Sequence, residues 1–257
     1  MNLRKIFKYF FSDIIRSKWI PVYAVLLFVL TSGIIYFSRD GQKAFISLLN
    51  IALYLVPLLC LIFGSVYNYN SREFVEMLLT QPVTRRSVFL GQYLSLGLSQ
   101  TAGFVLGMIL PLFIYDFSIN AALLLAAGIF LIFIFNGFAL LVSNMVNDKV
   151  KGVGILIAVW LFFAVFYDGL MLFMFYYFAD YPLEKTTIIA SSLNPVDVAR
   201  TFIMLRLDMS ALFGYTGAVF KKYFGSGAGI YVSLLILHLW MIVPSFFASK
   251  KFKRKDF

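Results

Sequence analysis

The sequence is poor in the residues that carry out chemistry in enzymes. Its 257 residues include one cysteine, Cys60, and one histidine, His238. A lone cysteine excludes a disulfide within the chain, and a lone histidine with no cysteine nearby does not form a conventional zinc site. The pattern G-x-x-x-x-G-K-[ST] is absent, which excludes an ATP-binding loop of that kind. We therefore expect no catalysis, no metal site and no bound cofactor in this chain.

Charged residues are scarce as well. They make up 13% of the chain, whereas hydrophobic residues make up 61%; a soluble domain carries about 25% charged residues. The apolar residues collect in runs of roughly 20 or more, long enough to cross a hydrocarbon core about 30 Å thick. The sequence predicts an all-α polytopic membrane protein with a single transmembrane domain. Its six predicted spans cover about 19–37, 45–69, 88–115, 120–146, 151–179 and 229–249.

The net charge of +10 follows the predicted membrane topology. Fifteen of the 22 lysine and arginine residues precede the first span, lie in the 70–87 or 147–151 segments, or follow the last span. Short cytoplasmic loops of membrane proteins carry such an excess of positive charge. We therefore expect both termini to be cytoplasmic. The basic residues are explained without a nucleic-acid partner.

Residues 2–17 form an amphipathic segment before the first span. Its apolar residues recur at the helical period: Leu3, Ile6, Phe7, Phe10, Phe11, Ile14 and Ile15. Such a helix is expected to lie in the membrane interface, with its basic residues towards the lipid headgroups. A docking surface for a cytoplasmic partner is compatible with the same pattern.

The 70–87 segment is too patterned for a plain loop. Asn70 followed by Glu73 has the form of a capping box at a helix start, and the pattern predicts a short helix to about Thr80. Pro82 should end it, because the residue before a proline avoids helical geometry. Thr84 is placed to cap the third span.

The 180–228 segment is predicted to lie outside the membrane on the far side. Asn194 as cap, Pro195 at the first helical position and Asp197 at the third indicate a helix start. With Arg200 and Arg206 beside apolar residues, this helix is expected to lie along the outer membrane surface. These polar residues either bind a partner or cap and orient the helix.

Asp168 is an acidic residue within the fifth predicted span. An ionisable group in a span costs at least about 2.5 kcal/mol, so it should face the bundle interior or a wet cavity. It is either a gate or coupling contact, or a residue hydrogen-bonded to a neighbouring helix.

The chain resembles the ABC transporter permeases of the type-two export class. The resemblance lies in Glu76-Met-Leu-Leu-Thr-Gln-Pro-Val-Thr-Arg-Arg86, followed by Leu90-Gly91-Gln92, where Gln92 stands in place of the family's usual lysine. It implies that a separate cytoplasmic ATPase, which carries ATP and Mg, drives this chain through a coupling helix. The coupling residues it implies are Asn70, Glu73, Phe74, Glu76, Leu78, Pro82, Thr84, Arg85 and Arg86.

A narrower resemblance is to the NosY permeases of nitrous oxide reductase maturation. Phe166-Tyr167-Asp168, Leu193-Asn-Pro-Val-Asp197 with Arg200, and Asn147-Asp148-Lys149 carry it. It implies a permease homodimer, a NosF-like ATPase and a NosD-like periplasmic β-helical protein that handles copper. That partner would contact Asn194, Pro195, Asp197 and Arg200.

Other classes of function are not excluded by the sequence. One is an exporter of lipid, drug or peptide on the same plan, and another is an ATP-independent channel or secondary carrier. Nine methionines also allow Cu(I) ligation, although methionine is equally a common apolar filler.

Overall fold

The computed structural model describes residues 3–38, 40–115, 119–181, 183–205 and 214–255. Arg206 lies outside the described residues. Within them all the regular secondary structure is helical and there is no strand. The helices are α1 (Leu3–Arg16), α2 (Trp19–Phe37), α3 (Gly41–Asn50), α4 (Val56–Asn70), α5 (Arg72–Leu79), α6 (Arg85–Tyr115), α7 (Ile119–Met145), α8 (Lys149–Leu161), α9 (Tyr167–Tyr177), α10 (Glu184–Ser192), α11 (Pro195–Met204) and α12 (Gly214–Arg254).

Six helical segments in the described ranges are long and apolar enough to cross a membrane, as predicted. They run over Trp19–Phe37, Gly41–Asn70, Arg85–Phe113, Asn120–Met145, Lys149–Tyr177 and Gly227–Arg254. The fourth of these, in α7, is the central one. In its most apolar stretch 67% of the residues are buried, whereas in that of α2 only 17% are. It packs against α4, α6, α11 and α12.

Two spans contain a π-helical turn that the sequence did not predict. Ile51–Leu55 joins α3 to α4, and Phe162–Phe166 joins α8 to α9. In each turn a backbone N–H bonds five residues back, from Val56 to Ile51 and from Tyr167 to Phe162. Such turns inside α-helices occur often at functional sites. Both turns lie next to the polar cluster described below.

Helices α2 and α6 cross closely at Gly107. A Cβ atom on this residue would lie 2.7 Å from both the carbonyl oxygen of Ala24 and the Cβ of Leu27. Small residues permit such approaches between membrane helices. Gly225 has a different role: its φ of 66° interrupts α12 before the sixth span begins.

The amphipathic helix α1 is present, and its apolar stripe packs on protein. Ile6, Phe10 and Ile14 are buried, and Ser95 Oγ of α6 donates a hydrogen bond to the carbonyl of Phe7 at 3.0 Å. A helix with one apolar stripe must cover it, and α6 and α5 supply the surface here. Its placement at the lipid interface stays a prediction.

The predicted position of the 195–204 helix on the outer membrane surface is wrong. Helix α11 is buried against α7 and α12. The reason is that apolar residues occupy more than one of its sides, and its two charged residues pair with each other. The buried apolar residues are Val196, Val198, Ala199, Phe202 and Ile203.

Candidate functional site

The four basic segments of the sequence meet at one end of the helix bundle, which we call the basic end. Tyr67 Oη donates to Asp13 Oδ2 at 2.8 Å, which joins α4 to α1. Lys149 Nζ donates to Asn70 Oδ1 at 3.1 Å, which joins α8 to the end of α4. Arg85 of α6 donates to the carbonyl of Lys253 near the end of α12 at 2.9 Å. Segments that all face the cytoplasm have to lie at the same end of the bundle, as these do. Their cytoplasmic orientation itself stays a prediction.

Helix α5 lies at the basic end and has two faces. Val75 and Leu78 are buried, whereas Glu73, Glu76 and Met77 are exposed. The exposed face therefore combines two carboxylates with one apolar side chain. It is free for contact with another protein without any rearrangement of the core.

The residues on the other face of α5 hold it to the rest of the bundle. The ring of Phe74 stacks on Tyr9 with 4.6 Å between centroids, and it meets the edge of Phe10 at 5.5 Å. Leu78 belongs to the same buried apolar cluster as Phe10. Of the predicted coupling residues, Glu73 and Glu76 thus face outwards, while Phe74 and Leu78 join α5 to α1.

The predicted capping box at Asn70 is wrong. Helix α4 continues to Asn70, and α5 follows after Ser71. Because the two helices are almost continuous, Ser71 N donates to Tyr67 O at 2.9 Å and leaves no gap for a side-chain cap. The side chain of Asn70 instead accepts from Lys149, so it joins two spans.

The predicted end of α5 and start of the third span are confirmed. α5 ends at Leu79, ahead of Pro82, and α6 begins at Arg85. Ser87 N donates to Thr84 Oγ1 at 3.3 Å, the bond expected of an N-cap residue. The two arginines that follow have different surroundings: Arg85 bonds the tail of α12, and Arg86 lies along a cleft between α6 and α12.

A buried chain of polar side chains joins the base of α5 to three spans. Gln92 Nε2 donates to Asn68 Oδ1 at 2.8 Å and to Ser71 Oγ at 3.1 Å. Asn68 Nδ2 in turn donates to Ser143 Oγ at 2.5 Å. These bonds link α4, the α4–α5 junction, α6 and α7. Gln92, the residue that departs from the family pattern, is fully buried at the centre of this network.

Arg72, the first residue of α5, fixes the helix to the end of α7. Its guanidinium donates to the carbonyls of Ser143, Val146 and Asn147 at 2.9–3.0 Å. Ser143 lies in the last turn of α7, where carbonyls have no partner within the helix. A cation there also complements the helix dipole. The base of α5 therefore has polar contacts with the second, third and fourth spans.

A second group of polar side chains lies inside the bundle, in the half away from the basic end. This outer polar cluster consists of Tyr54, Asp168, Asn194, Asp197 and Arg200. Arg200 Nη2 lies 3.2 Å from Asp168 Oδ2, and its Nη1 lies 3.1 Å from Asp197 Oδ1. Asn194 Nδ2 donates to Asp197 Oδ2 at 3.1 Å. Tyr54 Oη donates to Asp168 Oδ2 at 3.3 Å and accepts from Arg200.

The two π-helical turns support the outer polar cluster. Tyr54 lies within the first turn, and Asp168 follows the second by two residues. Side chains bond to a carbonyl in each turn: Trp160 Nε1 donates to Tyr54 O at 2.9 Å, and Asn194 Nδ2 donates to Phe163 O at 3.0 Å. The turns therefore aim side chains inwards without leaving these carbonyls unpaired.

The structure brings all the predicted outer residues together and resolves the role of Asn194 within the chain. Asn194 Oδ1 accepts from Val196 N at 3.0 Å, so it caps α11 as expected. Asn194, Pro195 and Asp197 are buried, and Arg200 is partly exposed. A partner would therefore reach this cluster through Arg200, Asp168 and Tyr54, which are all partly exposed. Tyr54 was missed, and the only signal in the sequence was a tyrosine hydroxyl within an apolar run.

Comparisons with known proteins place the chain among transporters. The sequence profile described as "ABC-2 family transporter protein" matches residues 4–257. The chain is similar to the "Probable ABC transporter permease protein NosY" of Stutzerimonas stutzeri, with 24% identity over 268 residues that cover 95% of each chain. It is also similar to the protein of the same description from Pseudomonas aeruginosa, with 24% identity over 224 residues, 79% of this chain and 82% of that relative.

Proposed function

Because the chain belongs to the ABC-2 family of transporter proteins, we propose that it is a permease subunit through which a separate cytoplasmic ATPase drives an event on the far side of the membrane. The observation that carries this proposal is that α5 has one exposed face and one face packed into the bundle. Its exposed face offers Glu73, Glu76 and Met77 to a partner, and its other face is bonded into the bundle. ATP and Mg belong to the ATPase in this scheme.

The path of force follows from the contacts of α5. Arg72 and the network of Gln92, Asn68 and Ser143 join its base to the second, third and fourth spans. Membrane helices satisfy their own backbone hydrogen bonds and move as rods. A displacement of α5 would therefore tilt these spans together. The first of them contains Tyr54, so the tilt would reach the outer polar cluster.

We further propose that the far-side event is the copper-site maturation that the NosY resemblance implies. The chain would act as a homodimer, with a NosF-like ATPase at the basic end and a NosD-like copper-handling partner at the outer end. Arg200 and Asp168 would be the charged members of the outer cluster that this partner reaches, since both are partly exposed. Copper would be held by the partner.

The ATPase-docking part is tested by charge reversal on α5. Glu76→Lys should weaken co-purification of the ATPase and lower nucleotide turnover in the complex, because Glu76 is exposed and its replacement leaves the buried face of α5 intact. Asp180→Lys is the matched control, since it makes the same charge change at an exposed position beyond α9. Normal ATPase binding and turnover with Glu76→Lys would refute docking at this face.

The choice between maturation and export is tested by affinity purification from native membranes. Recovery of an ATPase together with a periplasmic β-helical copper protein supports the maturation role. Recovery of the ATPase alone, with nucleotide turnover stimulated by a lipid, drug or peptide, supports the exporter and refutes the maturation role.

A further inference from the structure

Helices α6 and α12 leave a cleft between them at the basic end, with a volume of about 430 Å³. Three cations line it: Arg86 of α6, and Lys250 and Lys253 of α12. All three are exposed. None of the described residues that line the cleft is acidic, so its electrostatic potential favours an anion. This cleft has no part in the function proposed above.

The wall of the cleft turns from charged to apolar over a short distance. Phe89 and Leu90 lie one turn deeper than Arg86 on α6, and Phe246 and Ile242 lie one and two turns deeper than Lys250 on α12. At 1.5 Å per residue, this places the apolar wall within roughly 5–12 Å of the cations. A ligand that fills the cleft must therefore be anionic at one end and apolar at the other.

The end of α12, which carries Lys250 and Lys253, is held against α6 by contacts that leave these two lysine side chains uninvolved. Arg85 Nη1 donates to the carbonyls of Lys253 and Lys255 at 2.9 and 2.8 Å. The rings of Phe89 and Phe252 lie 5.8 Å apart and join the same two helix ends. The tail of α12 is thereby fixed to the start of α6. Lys250 and Lys253 therefore line the same cleft as Arg86, and the backbone that carries them is fixed in position.

We propose that this cleft binds one anionic phospholipid from the leaflet at the basic end. Its phosphate would lie among Arg86, Lys250 and Lys253, and an acyl chain would lie along Ile242 and Phe246, which are exposed. Basic pockets between membrane helices bind anionic headgroups in this way. A soluble phosphate compound would leave the apolar wall uncovered, and a zwitterionic lipid would leave the three cations without a net counter-charge. The residues that line the cleft belong to the third and sixth candidate spans, so membrane lipid would have access to it.

The test uses the full chain purified in a non-ionic detergent and titrated with phosphatidylglycerol or phosphatidylcholine, with bound lipid counted by native mass spectrometry. One phosphatidylglycerol should be retained in preference to phosphatidylcholine. The double variant Lys250→Gln/Lys253→Gln should bind phosphatidylglycerol at least about tenfold more weakly, because charge-assisted hydrogen bonds to the phosphate are lost. Ser249→Phe, which narrows the cleft without changing its charge, should also weaken retention.

The matched control is Lys251→Gln/Arg254→Gln, which removes two charges from the same tail outside the cleft. It should change the affinity for phosphatidylglycerol by less than about threefold, because these two charges lie outside the cleft and salt screens their attraction to the lipid phosphate. Equal weakening by both double variants would overturn the proposal in favour of general surface attraction. Equal retention of the two lipids, or displacement of phosphatidylglycerol by inorganic phosphate at equal concentration, would overturn it as well.

Discussion

The ion pairs of Arg200 allow a quantitative test of the outer polar cluster. Removal of one partner from a fully buried pair costs roughly 3–5 kcal/mol, since the other charge is left without compensation. The Asp197 side chain is 8% exposed, but that of Arg200 is 28% exposed, so the pair is only partly buried. We therefore expect Arg200→Met to lower the free energy of unfolding by about 2–3 kcal/mol.

A double-mutant cycle identifies which carboxylate is responsible. Once Arg200 is absent, Asp197→Asn should restore most of the lost stability, because it removes the unpaired buried charge. Asp168→Asn should restore much less, since 34% of the Asp168 side chain is exposed and water can solvate it. The assay is reversible unfolding of the reconstituted protein by increasing sodium dodecyl sulfate, followed by far-ultraviolet circular dichroism.

Two results would refute this reasoning. One is a loss of less than about 0.5 kcal/mol for Arg200→Met, the range of ordinary surface substitutions. The other is equal rescue by Asp197→Asn and Asp168→Asn, which would mean that burial does not set the strength of these pairs. Asp180→Asn, at an exposed position without a pair in this cluster, controls for the general removal of a charge.

Three further predictions follow from local geometry. Gly107→Ala should destabilise the fold, because the new Cβ would lie 2.7 Å from Ala24 O. Gly33→Ala, whose Cβ would have nothing within 4 Å, should be neutral or stabilising by up to about 1 kcal/mol. Thermal unfolding of the two variants tests the difference. Asn194→Ala should cost about 1–2 kcal/mol through loss of the cap on α11, measured in the unfolding assay above, and Asn194→Ser should recover part of it. Backbone hydrogen bonds from Lys151 and Val150 lower the pKa of Asp148, so the stability they give α8 is present above about pH 4 and is lost as the pH falls through the lowered pKa. Amide-exchange protection of Val150 and Lys151 should fall accordingly at low pH, and should lose this dependence in Asp148→Asn.

The sequence was sufficient for the spans, because each depends on a local property, a long apolar run. The first predicted span coincides with Trp19–Phe37. The caps at Thr84 and Asn194 were likewise predictable, since a cap is a relation between residues three positions apart or fewer. Asn70 was misjudged because two helices nearly fuse there, and no residue type signals fusion. The partners of Arg200 were not predictable, because Tyr54 and Asp168 are 146 and 32 residues away along the chain.

The π-helical turn at Ile51–Leu55 has a consequence for the rotational phase of the second span. A π turn accommodates one residue more than an α-helical turn does, so the stretches on its two sides are offset by roughly 100° about the helix axis. Deleting one residue between 51 and 55 would remove this offset. The stretch Gly41–Asn50 would then rotate by about the same angle around the helix axis relative to the rest of the span. Tyr54 would then no longer face Arg200. This span is therefore more sensitive to a change of length at this turn than to an exchange of one aliphatic side chain for another at Ile51 or Leu55.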